Sequence, residues 1–338
     1  MNQRKRSNRS VVIAPIIVLV AGPVTLPPAN GQSVDESVFV ESDGAQLFLE
    51  VRGADRNSPV LLYLHGGPGS PLGILSFQAY VGSALEQNYV VAYLHQRGVL
   101  RSPMVPDSTQ TVSQHVRDVD RVVDRLAAEF GGKRVVLLGH SWGGILALLY
   151  AREHESKVAA LISVAAPFNV EANFLASYER ALEWARQVGN DDAVQALLTV
   201  GRPPYETTAG HLVRSTWSSW AHGGVSRNLS MERVLAGTGL AEGDGGWRAG
   251  QLRIGEVMYP DVRRINLEAA VRDLGIPLML VAGRRDAEVP WEDLVFGYDN
   301  YGGPKRFLLF DNSHHMVFVD EPDRFVAEVV AFTGELSF

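Results

Sequence analysis

A serine at position 141 sits in the run Gly139-His140-Ser141-Trp142-Gly143, and residues able to complete its chemistry follow it: Asp286, then the adjacent pair His314-His315. A serine hydroxyl is a weak nucleophile at neutral pH. It attacks a carbonyl when a histidine takes its proton and a carboxylate fixes the histidine's tautomer and stabilises the imidazolium. The chain order here, serine then carboxylate then histidine, is one in which that constellation recurs. Glu288 and Asp311 compete for the role of acid. Asp286 is preferred because it closely follows the apolar run 277–282, at the end of a strand where a site must lie. Between His314 and His315, spacing alone does not decide. The negative charge that develops on the substrate oxygen needs two backbone N–H donors, each worth about 3 kcal/mol. Trp142, directly after the serine, supplies one. Gly67, in His65-Gly66-Gly67-Pro68-Gly69, is the choice for the other, with Gly66 its neighbouring alternative. His65 reads as a brace for that loop, since Ser141 has a better-placed histidine.

The elements that must position these groups are legible around them. Residues 135–138 form a short apolar strand and 145–150 open a buried helix, so Ser141 occupies a sharp strand-to-helix turn. Earlier, 37–41 and 46–52 alternate about Asp43-Gly44, a hairpin signal. Residues 59–64, 89–94 and 158–165 are further apolar strands, separated by helical patterns at 77–87 and 112–130. The alternation resumes with strands at 277–282 and 306–310, a helix from about Trp291 and a final helix that Pro322 is suited to start. Strands alternating with helices predict an α/β fold with a mostly parallel sheet covered on both faces, and a site at the strands' carboxyl ends.

Residues 168–273 interrupt that pattern. They are helix-prone, broken by glycine and proline clusters, and carry Trp184, Trp217, Trp220 and Trp247, four of the six tryptophans. The expected organisation is therefore a core of 38–167 and 274–338 with a helical cap inserted at 168–273. Trp217 and Trp220 are candidates to contact substrate.

Composition excludes other classes. With 338 residues and 46% hydrophobic content the chain can bury a large core. The formal net charge is −7, and the only charges before Gly31 are the basic Arg4, Lys5, Arg6 and Arg9, so the rest is more acidic still and no nucleic-acid partner is expected. There is no cysteine, which removes disulfides, thiolate metal sites and a cysteine nucleophile. The nine histidines show no ligand spacing, and no phosphate-cradling glycine loop appears, so neither metal nor cofactor is expected. The basic start, an apolar run of about eleven residues and the small residues Ala29-Asn30-Gly31 read as a signal peptide over 1–31, with secretion or export to the periplasm as the consequence. Retained, the same segment would be an N-terminal anchor and the chain's only membrane contact.

Together, HGGPG at 65–69, QRG at 96–98 followed by RS at 101–102, GHSWGG at 139–144, the Asp286 loop and SHHM at 313–316 resemble the α/β-hydrolase superfamily, and within it the proline iminopeptidase branch. The resemblance runs from residue 38 onward outside the cap. It implies an eight-stranded, mostly parallel sheet with an inserted helical cap, acyl transfer to water through an acyl-enzyme, and His315, the histidine before Met316, as the base. The departures are specific. The family carries Asp before Gln-Arg-Gly, where this chain has His95. Family members read a substrate amine with cap glutamates, one in a Trp-x-x-Trp-Glu pattern and one after Arg-Ile. Here Trp217-Ser-Ser-Trp220 is followed by Ala221, and Arg253-Ile254 by Gly255, with Glu256 one place later. A buried ammonium without a carboxylate costs several kcal/mol. The expectation is therefore a serine hydrolase acting on an ester or amide of a small, largely apolar molecule or short peptide. An aminopeptidase using Glu256 is the alternative. A non-catalytic binding protein on this fold would need a broken triad, whereas serine, acid and histidine are all present.

Overall fold

The computed structural model describes residues 32–240 and 246–336; the expected signal segment, 1–31, lies outside them. Its frame is a sheet whose strands are β1 (Val34–Ser42), β2 (Ala45–Gly53), β3 (Val60–Leu64), β4 (Val90–Leu94), β5 (Val135–His140), β6 (Val158–Val164), β7 (Leu278–Gly283) and β8 (Lys305–Phe310). The order across the sheet is β1-β2-β4-β3-β5-β6-β7-β8. β1 and β2 are antiparallel to each other, as are β2 and β4, and every later pairing is parallel.

Local chemistry accounts for this arrangement. Asp43 and Gly44 both adopt positive φ, 46° and 79°, the two-residue turn that matches strand twist and closes β1 onto β2. The apolar runs that become β3, β4, β5, β6 and β7 are buried at every residue, as strands covered on both faces must be. Their side chains alternate between two cores: Leu62, Leu64, Ala92 and Leu137 pack on one face, Leu61, Tyr63, Val136 and Leu138 on the other.

The chain winds outward from β3, placing β4 on one side and β5 on the other. That reversal opens a crevice at the carboxyl ends of β3 and β5, where ligands bind in sheets of this type. The loop beginning at His65 and the turn bearing Ser141 both start there.

Between β6 and β7 the described residues form helices Val170–Gln187, Asp191–Val200, Thr208–Trp220, Met231–Leu235 and Gly246–Val262. Asn169 and Asn190 cap the first two, accepting from the N–H groups of Ala172 and Ala193. The excursion leaves and rejoins the core side by side: Asn169 bridges Asn266, and Leu267 N–H donates to Phe168 O at 2.6 Å.

Candidate active site

Ser141 is held at φ 55°, ψ −121°, between the end of β5 and the helix Trp142–His154. A non-glycine residue in that region costs about 1–3 kcal/mol and persists only where its surroundings enforce it. Here Ser141 N–H donates to Val164 O of β6 at 2.8 Å. Both glycines of the turn are obligatory. A Cβ on Gly139 would run into the backbone of Gly143, and one on Gly143 into Leu64 O of β3.

The candidate acid and base arrive on two other strand ends. Asp286 follows β7 and His315 follows β8, and His315 Nδ1 donates to Asp286 Oδ2 at 2.8 Å. The other carboxylate oxygen, Oδ1, accepts the N–H groups of Glu288 and Val289 at 2.8 and 3.0 Å, which locks its orientation. Burial disfavours a charged His315, but the Asp286 carboxylate, and Glu288 beyond it, outweigh burial and raise its pKa above the ordinary 6.5. His140, next to the serine, brings its ring to 4.7 Å from that of His315, and its Nε2 donates to His315 O at 3.1 Å.

The competing residues are engaged elsewhere. His314 places Nδ1 3.0 Å from Asp320 Oδ2 and Nε2 3.0 Å from His222 O. Asp311 is exposed and paired with Arg284 at 2.6 Å. Glu288 accepts from Ser215 at 3.0 Å and from Ser219, with Arg214 Nη1 at 3.4 Å.

Ser141, His315, Gly67 and Trp142 line one cavity of about 220 Å³. Gly67 has φ 123°, a conformation that glycine tolerates and side chains rarely adopt. Gly66 sits against the nucleophile itself: a Cβ there would lie 3.1 Å from Ser141 Cβ. As expected of a brace, His65 is fully buried, its ring bonded to Gly66 O at 2.9 Å, and burial holds its pKa down to about 4, so it is neutral.

Residues 59–322 match the family described as the alpha/beta hydrolase fold. The chain belongs to that family. It is close to the proline iminopeptidase branch of these α/β-hydrolases: it is 26% identical over 288 residues to a probable aminopeptidase, YbaC, of Bacillus subtilis (strain 168), covering 82% of this chain and 89% of that one. It is 24% identical to a proline iminopeptidase of Lactobacillus delbrueckii subsp. lactis over 82% of this chain and 90% of the relative. Among solved structures it superposes on VinJ with a TM-score of 0.68 at 20% identity, covering 89% of this chain and 99% of VinJ.

The cavity of this α/β-hydrolase is roofed by the inserted helices, but its lining departs from the expected one. Trp217 packs within the cap, against the cluster of Tyr178, Ala181, Leu182 and Leu197, and Trp220 is 67% exposed. Neither lines the cavity. The reason is helical phase. Thr208, His211, Leu212 and Ser215, spaced as one face of Thr208–Trp220, do line it, so 217 and 220 point elsewhere. Glu256 is at the cavity, as expected, and is exposed.

Nor is the wall apolar throughout. Glu288, Arg214 and Asn173 also form it. Burial opposes ionisation of Glu288, yet the Arg214 cation, His315 and serine hydroxyls lower its pKa, so it carries charge. Asn173 is buried, donates Nδ2 to Glu288 O at 3.1 Å and leaves Oδ1 without a partner. Sequence reasoning weighed Glu288 only as a competing acid and missed Arg214 and Asn173. The signal for Arg214 was its place beside the 208/211/215 face; for Asn173 there was none.

Proposed function

We propose that this α/β-hydrolase is a serine hydrolase that splits an ester or amide through an acyl-enzyme on Ser141. The observation that carries the proposal is the His315–Asp286 pair, with Nδ1 2.8 Å from the carboxylate, on the same cavity as a serine held at strained φ and ψ. Because Nδ1 carries the proton shared with Asp286, Nε2 is left as the base. Ser141 Oγ attacks the carbonyl carbon as Nε2 takes its proton. The tetrahedral oxyanion is met by the N–H groups of Gly67 and Trp142, and the helix that begins at Trp142 adds its positive end. The imidazolium then protonates the leaving alcohol or amine. Water repeats the cycle on the acyl-enzyme and frees the acid.

For the acyl group, a specific observation favours the aminopeptidase alternative over a plain esterase. An ionised Glu288, Asn173, whose Oδ1 has no partner, and Glu256 line one small cavity, and all three can accept hydrogen bonds. A substrate ammonium offers N–H donors to such a wall, where two carboxylates, Glu288 and Glu256, face one cation, Arg214, and would take the place of the cap glutamates absent at Ala221 and Gly255. The experiment is hydrolysis of proline p-nitroanilide and p-nitrophenyl butyrate side by side by protein lacking residues 1–31. Preference for the anilide by kcat/KM supports the amine reading; turnover of the ester alone refutes it while leaving the serine chemistry standing.

A further inference from the structure

The mechanism makes no use of Gln96, although its side chain is buried between the two halves of the proposed oxyanion site. Gln96 Nε2 donates to His65 O at 2.8 Å, at the root of the loop that carries Gly67. Its Oε1 accepts the indole Nε1–H of Trp142 at 3.0 Å. One amide thus spans from the end of β3 to the first residue of the helix behind Ser141.

Its backbone extends the link. Gln96 N–H donates to His65 Nε2 at 3.3 Å. That assigns the His65 proton to Nδ1, which donates to Gly66 O at 2.9 Å. Gly66 C=O and Gly67 N–H belong to the same peptide unit, and in a planar trans peptide they point in opposite directions. Anchoring the carbonyl therefore aims the Gly67 N–H.

We infer that Gln96 is a positioning residue for the oxyanion site, holding the Gly67 and Trp142 N–H groups in register through His65 and the Trp142 indole. The inference rests on the reading of those two N–H groups as the oxyanion donors. An amide is suited to the task because it offers a donor to a carbonyl and an acceptor to an indole from one planar group. The Trp142 ring is further fixed by the edge of His115, 5.9 Å between centroids, so the bond to Gln96 acts on a ring with little freedom.

The test is Gln96→Met, which keeps length and burial but neither hydrogen bond, assayed for kcat, KM and inhibition by phenylboronic acid, whose adduct with a serine mimics the tetrahedral intermediate. Loss of one such donor costs about 10²–10³ in rate, and misaiming is a weaker insult. The expected result is a kcat lower by about 10- to 100-fold with KM within about twofold. The boronate inhibition constant should rise by the same factor, while the acidic limb of the pH profile stays in place because His315 is untouched. A kcat near wild type, or a fall in kcat with boronate affinity unchanged, overturns the inference. Should the Met variant fail to fold, Trp142→Phe removes one of the same bonds. It is expected to weaken boronate and lower kcat in step, and wild-type values there overturn the inference equally. Failure of the underlying reading looks different: wild-type enzyme itself would then be insensitive to the boronate.

Discussion

Replacing Asp286 by Asn tests its proposed role as the acid in a way the local geometry makes unusually sharp. Asp286 Oδ1 accepts two backbone N–H groups, from Glu288 and Val289. In the variant the amide oxygen must keep that position, because the alternative points an NH₂ group at two N–H donors. Leaving both donors unsatisfied in a buried site costs about 1–3 kcal/mol each, or about 2–6 kcal/mol together. The amide nitrogen is therefore driven toward His315 Nδ1 and forces the proton onto Nε2, where the histidine cannot act as a base. At about 1.4 kcal/mol per decade, the productive tautomer falls by a factor of about 30 to about 2 × 10⁴. Loss of the charge that stabilises the imidazolium comes on top, and the same substitution in a serine protease costs about 10⁴ in kcat. We expect kcat on p-nitrophenyl butyrate to fall by about 10⁴, with KM little changed because Asp286 does not line the cavity. Asp311→Asn, on an exposed residue paired with Arg284, should stay within about twofold. A folded Asp286→Asn enzyme that keeps more than about a tenth of wild-type kcat refutes the reasoning, and so does a larger loss in Glu288→Gln.

Further predictions concern charge, stability and processing. The base must be neutral to take the serine's proton, so kcat/KM should fall as pH drops through the His315 pKa, which Asp286 and Glu288 hold above 6.5. Glu288→Gln removes one of those raising charges and should move the acidic limb to lower pH; a limb that stays or moves up contradicts the assignment. Arg97 and Asp118 form a buried bidentate pair, with Nε to Oδ2 at 2.9 Å and Nη2 to Oδ1 at 2.6 Å. Arg97→Met strands that carboxylate and should cost about 3–5 kcal/mol in urea unfolding, where a loss under about 1 kcal/mol would show the pair to be dispensable. For residues 1–31 we propose export with cleavage after Gly31, so N-terminal sequencing of protein from the medium or periplasm should begin at Gln32, and an intact Met1 would mean an anchor.

What was legible in the sequence tracks how local the determining interactions are. The turn around Ser141 was readable because strand, turn and helix are contiguous, and because Gly139 and Gly143 mark the two places where a Cβ would strike backbone. Strands β3 to β7 were readable because burial on both faces leaves continuous apolar runs. His314 and His315 could not be separated from spacing, since adjacent loop residues point in different directions. What separates them is set largely by distant residues: Asp286, 29 positions earlier, behind one, and the carbonyl of His222, 92 positions earlier, together with nearby Asp320, around the other. The cap was harder. Its helices were foreseen, but the face that each turns to the cavity depends on packing, so Trp217 and Trp220 suggested substrate contacts while Arg214, Ser215 and the core residue Glu288 build the wall. Glu288 is two residues past Asp286, yet its partners Ser215 and Ser219 lie about seventy positions earlier, beyond the reach of any local pattern.

The proposed chemistry requires that Ser141 carry the acyl group. The direct measurement is peptide mass mapping of enzyme quenched during turnover of p-nitrophenyl butyrate, alongside a Ser141→Ala control. The expected result is a butyryl increment on the peptide containing Ser141, absent from the control, whose turnover should be lower by about 10⁶. Butyrylation of another residue, or undiminished turnover in the Ser141→Ala enzyme, would contradict it.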